Sequence, residues 1–270
     1  MFKKLNWEVV KLFSKLMWLL SGILILVFAP LKIASAFYPM DFVESGYFTG
    51  LFLIVLVAMY VVSKVTNVNI ENLEVKRNIP LGILSLIISA CFYFCISSFF
   101  HDTTLYDFEW QPVLMALLSI FSIVSFLIMA FVHFSGKNVF PQLSFFLFCP
   151  VFWFALDMIL FLSIQNDNSD IYDIALTAFL ALFFLYYTQV YSTSCERNIV
   201  KLTVFYGFPA FALMLIKCVP VMIKCLNHSE ELSNAQVSTC ALEAAISFYV
   251  LIVVIEAFKQ ISESSFAENK

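Results

Sequence analysis

Apolar residues fall in long unbroken blocks along the chain, and polar residues gather in the short stretches between them. Runs such as "LGILSLIISACFYFCISSFF" and "ISFYVLIVVIEAF" do not alternate, so they lack the two-residue period of a membrane β-barrel strand. A block of about 20 apolar residues at 1.5 Å rise matches a hydrocarbon core of about 30 Å. Eight blocks meet this requirement, at 17–38, 47–65, 79–100, 112–134, 142–164, 172–192, 200–222 and 238–258. In lipid every backbone N–H and C=O needs a partner within the segment, so these blocks are predicted to be helices. The expected fold is all-α, a polytopic transmembrane bundle of about eight spans over 17–258, with the lipid bilayer as its principal partner.

Composition removes the soluble alternative. Hydrophobic residues make up 62% of the 270 positions and charged residues 13%, against about 45–50% and 25% in soluble domains. The 32 Phe suit lipid-facing and inter-helix packing without any cofactor.

Charge sets the expected threading. With the N-terminus inside, twelve basic residues fall on the inner side (Lys3, Lys4, Lys11, Lys15, Lys64, Lys76, Arg77, Lys137, Arg197, Lys201, Lys259 and Lys270). Only Lys32, Lys217 and Lys224 fall in or near the outer half. The positive-inside bias therefore places both termini in the cytoplasm, with 259–270 as a cytoplasmic tail. The outer loops "HDTTLYDFEW" and "QNDNSDIYD" carry no Lys or Arg, and the net charge of −4 gives no basis for a nucleic-acid partner. Thirteen Lys against two Arg, with abundant Phe, Ile and Asn, point to an AT-rich genome and a bacterial cell membrane.

Residues 1–16 are expected to form an amphipathic helix at the inner interface. Lys4, Glu8, Lys11 and Lys15 lie on one face, and Leu5, Val9, Leu12, Phe13 and Leu16 on the other. The segment "SGILILVFAPLKIASA" also resembles a signal-peptide core ending in Ala34-Ser35-Ala36; cleavage there would leave seven spans. The long basic leader and the position of Lys32 favour retention of the first span.

The inner ends of three successive hairpins read Arg77-Asn78-Ile79, Lys137-Asn138-Val139 and Arg197-Asn198-Ile199, spaced by 60 residues. Such a basic residue can snorkel to the headgroups, and Asn is a favoured N-cap for the helix that follows. Pro150 and Pro209 occupy corresponding places in "PVFWFALD" and "PAFALMLIK". The pattern suggests four repeated helical hairpins, although bilayer thickness alone also makes hairpins recur at similar length. Both prolines remove a helical hydrogen bond near mid-membrane and are candidate hinges. Gly46 and Gly50 form a small-x-x-x-small pair at the outer end of span two.

Four charges fall in one layer of the outer leaflet on four spans: Lys32, Asp157, Lys217 and Glu243. An unpaired charge at a helix centre costs at least about 2.5–3.5 kcal/mol on insertion scales. Asp157 has a short side chain and little scope to snorkel, so a pair with Lys217, at nearly the same depth, is expected. The simpler alternative has Lys32 and Lys217 snorkelling outward and Glu243 resting at the interface.

Seven Cys are scattered along the chain, and Cys225 and Cys240 flank the last outer loop as a candidate disulfide. The three His show no metal-ligand spacing, and no phosphate loop, nucleophile elbow or catalytic carboxylate pair is present. No cofactor is therefore expected, and a membrane-embedded enzyme ranks third among the readings because the catalytic constellation is missing. Two functions follow: binding or translocation of a small solute, ion or proton through the charged layer, or a non-catalytic accessory role beside a membrane-protein partner. In the second, the same charges would be structural pairs.

Overall fold

The computed structural model describes residues 2–38, 40, 46–65, 76–102, 110–137, 141–163, 171–191, 199–226 and 234–267. Every element among them is helical. In chain order they are α1 (Phe2–Ile23), a π-helical turn (Leu24–Phe28), α2 (Ala29–Ser35), α3 (Gly46–Val65), α4 (Ile79–Asp102) and α5 (Trp110–Ser135). A 3₁₀ segment (Pro141–Phe148), α6 (Cys149–Ser163), α7 (Ile171–Tyr191), α8 (Ile199–Leu226) and α9 (Asn234–Ala267) complete the chain. Eight stretches are long and apolar enough to cross a membrane, from Lys15–Ser35 to Val237–Gln260. Their ends lie within four residues of those read from the hydrophobic blocks. Large apolar side chains such as Ile54, Phe94, Phe131, Phe152 and Phe248 are exposed, as lipid-facing residues should be. By these criteria the protein is a multi-pass helical membrane protein.

The lateral order is a closed ring with an outer pair. Each helix from α4 to α8 packs on the next, and α9 returns to pack on α4. The first two spans lie outside this ring, with α1 and α2 against α8 and α3 also touching α8. Trp18 anchors α1 by its contacts with Phe208 and Phe258, at centroid distances of 5.5 and 5.3 Å. As a result α8 is enclosed on both sides and is the most buried span. We call the face where α1 begins and α9 ends the near face, and its opposite the far face.

Several local features follow from single residues. Residues 2–16 are helical, and α1 runs on without interruption into the first span. Phe13 and Met17 are buried in the core, whereas Leu12 is exposed. The π turn precedes Pro30: proline cannot donate a backbone hydrogen bond, and its ring crowds the carbonyl four residues earlier. Widening the turn relieves that crowding, and the Ala29 N–H reaches back to the Leu24 carbonyl. Pro150 stands second in α6, just after the 3₁₀ run. A first-turn proline lacks only an N–H that has no intrahelical partner anyway. Pro209 and Pro220 both lie inside α8, which continues through them as one helix. At Gly50 an added Cβ would meet nothing within 4 Å among the described residues.

The near end of the ring is closed by Asn78. Its Oδ1 accepts the Leu81 N–H at 3.1 Å, which is the expected N-cap. Its backbone N–H donates to the His133 carbonyl at 2.8 Å, and its Nδ2 donates to Glu256 Oε1 on α9. Gly136 (φ 67°) makes the turn out of α5, in a left-handed conformation that only glycine adopts at no steric cost. The corresponding Asn138 and Asn198 lie outside the described residues. Asn78→Ala should lower stability by about 1–3 kcal/mol, from the lost cap and the orphaned Glu256 carboxylate. Asn78→Ser, which keeps only the cap, should recover part of that loss in thermal unfolding in detergent. Equal melting of all three proteins would refute this account of the near end.

Candidate functional site

Four helix segments at the far end of the ring each contribute one ionisable side chain. Lys217 projects from the last third of α8, and its Nζ lies 2.7 Å from Glu243 Oε1 on α9. The same Nζ lies 3.4 Å from Asp173 Oδ1, in the first turn of α7. The Glu243 side chain is only 3% exposed, against 25% for Lys217 and 26% for Asp173. The ammonium therefore compensates first of all a carboxylate with almost no other access to solvent. Asp157, on α6, lies within electrostatic range of Lys217, Glu243 and Asp173. Among the described residues it makes no hydrogen bond or ion pair, and it is only partly buried.

The expected Asp157–Lys217 pair is thus replaced by Lys217 with Glu243 and Asp173. The reason lies in the ring order: α8 packs directly on α7 and α9, whereas α6 is one helix removed. Equal depth brought Asp157 into the same layer without making it a neighbour. Lys32 joins from outside the ring, with its Nζ 4.8 Å from the centroid of the Tyr172 ring, beside Asp173. Tyr172 is held in turn by Thr49, hydroxyl to hydroxyl at 3.1 Å. In the sequence Asp173 is the last residue of the acidic loop "QNDNSDIYD", and nothing local sets it apart from the loop's other acids.

Three carboxylates, Asp157, Asp173 and Glu243, thus face two ammonium groups, Lys217 within the ring and Lys32 beside it, leaving one formal negative charge in excess. An excess of that kind in a poorly solvated site favours a cation or proton. Among the described residues no three His, Cys, Asp or Glu side chains are arranged to hold a metal ion.

A second polar cluster sits on the ring axis nearer the near face. His133 Nε2 lies 2.9 Å from the Tyr249 hydroxyl and 3.2 Å from that of Tyr187. The two hydroxyls are 3.0 Å apart, and Tyr249 also reaches Met129 Sδ at 3.5 Å. These residues come from α5, α7 and α9, alternate members of the ring, whose side chains converge on its centre. In the sequence His133 lies near the end of a span with no metal-ligand spacing to mark it.

The cysteines are also arranged differently from expectation. Cys225 and Cys240 are both free thiols, and Cys240 lies against Cys218 instead. Cys225 stands seven residues beyond Cys218, about 10 Å further along α8.

Compared with protein-family models, curated proteins and solved structures, the chain matches none.

Proposed function

We propose that the protein binds and translocates a proton or small monovalent cation through the charged layer at the far end of the ring, with Asp157 as the exchangeable carboxylate. The observation that carries this reading is the division of labour among the acids. Glu243 and Asp173 are held by Lys217, whereas Asp157 faces the same layer with no bonded partner among the described residues. A carboxylate in lipid that is not paired with protein needs a proton or a mobile cation. The near face, with exposed Lys64, Lys76, Arg77, Lys137 and Lys259, is the cytoplasmic one by the positive-inside bias.

The test is flux into liposomes containing the purified chain, following protons and, separately, Na⁺ and K⁺. Asp157→Asn should reduce the carried flux at least about tenfold, equivalent to about 1.4 kcal/mol, while membrane abundance and melting stay close to wild type. Wild-type flux no greater than that of empty liposomes would overturn the proposal. It would favour the second reading, an accessory protein whose charges are structural, which the closed Lys217–Glu243 contact also supports.

A further inference from the structure

Beside the ion pair, α8 and α9 bring two thiols together. Cys218 Sγ lies 3.7 Å from the carbonyl oxygen of Cys240, and Cys240 Sγ lies 3.7 Å from that of Cys218. In this reciprocal arrangement each thiol lies against the backbone of the other helix. Facing side chains on adjacent backbones are what a disulfide needs, with its Cα atoms about 4.4–6.8 Å apart. In the structure both residues are reduced and buried.

The surroundings supply acid–base help. Glu243 divides its two oxygens: Oε1 meets the Lys217 ammonium, and Oε2 lies 3.8 Å from Cys218 Sγ. A carboxylate at that position can take up the thiol proton, and the ammonium of the preceding residue stabilises a thiolate. We propose that Cys218 and Cys240 form a reversible dithiol–disulfide pair that ties α8 to α9 in the ion-pair layer.

The oxidant is a low-molecular-weight disulfide. Cys218, having passed its proton to Glu243, attacks one reagent sulfur and expels the other half as a thiolate. Cys240, giving its proton to the thiolate just expelled, then attacks the Cys218 sulfur of this mixed disulfide and expels the second half, which takes the proton held by Glu243. Two cysteine S–H bonds and the reagent's S–S bond give way to one Cys218–Cys240 S–S bond and two reagent S–H bonds, so two electrons and two protons leave with the reagent as a pair of thiols. The far face is the side that the positive-inside bias places outside, where disulfides persist. The link would fix the α8–α9 spacing and with it the Lys217–Glu243 contact, whatever the layer carries.

The experiment uses membranes containing the full chain, oxidised with membrane-permeant dithiodipyridine. Remaining thiols are alkylated with N-ethylmaleimide, and peptides are mapped by mass spectrometry before and after dithiothreitol. A Cys218–Cys240 cross-linked peptide that dithiothreitol reverses is expected, and Cys225→Ser should retain it. Cys240→Ser should leave Cys218 as the pyridine mixed disulfide. Recovery of both cysteines as alkylated thiols, or Cys240 joined to Cys225, would overturn the proposal. None of these readings depends on flux, so failure of the ion-site reading would leave this result separately decided.

Discussion

Lys217→Met should destabilise the protein by roughly 3–5 kcal/mol, the usual consequence of removing one partner of a buried pair. The size of the effect comes from Glu243 rather than from the lysine. Its side chain is 3% exposed and meets Lys217 at 2.7 Å. Met preserves most of the stem volume, so the variant tests charge compensation with little change in packing. An exposed ion pair would be worth only about 0–1 kcal/mol, which makes the two cases easy to tell apart. The double variant Lys217→Met/Glu243→Gln should regain most of the loss, because a neutral amide no longer needs a counter-charge. Thermal unfolding in detergent or reconstituted bilayers would measure both. A single variant melting within about 0.5 kcal/mol of wild type, the scatter of an innocuous surface change, would show that Glu243 is not held in this way.

The second large effect is expected at Gly207. A Cβ built there would run into the Val254 side chain on α9 and lie 3.2 Å from two ring carbons of Phe183 on α7. Because α8 is enclosed by the ring on one side and the first two spans on the other, it has no free direction in which to shift. Gly207→Ala should therefore cost about 1–3 kcal/mol, the range for an overpacked core. This outweighs the gain of about 1 kcal/mol that Ala brings over Gly in a helix. Gly50→Ala, where the added methyl meets nothing within 4 Å, should be neutral or slightly stabilising. Adding Val254→Ala to Gly207→Ala should restore much of the lost stability. If Gly207→Ala melts like Gly50→Ala, the tight α8–α9 contact is wrong, and the thiol pair would lose support with it.

These predictions divide along a line that runs through the whole protein. Span positions, the N-cap at Asn78 and the common depth of Asp157, Lys217 and Glu243 could all be read along the chain. Each depends on local quantities: hydropathy over about 20 residues, a residue's place at a helix start, and a count of residues multiplied by the helical rise. The pairing of Lys217 with Glu243 and Asp173, the contact of Cys240 with Cys218 and the His133–Tyr187–Tyr249 cluster had no such signal.

What the sequence determined by itself was depth, because lipid obliges each span to satisfy its own backbone and so fixes every side chain's height along one axis. What only the tertiary structure decided was lateral company: which helix stands beside which, and which way each is turned. In a bilayer the hydrophobic effect does little to choose among helix neighbours, since lipid tails are as apolar as the side chains they would replace. The choice falls to close packing at positions such as Gly82, where an added Cβ would lie 2.6 Å from Phe134, and Gly207. Contacts of that kind join residues far apart in the chain, and they seat Lys217 between α7 and α9 while leaving Asp157 one helix away.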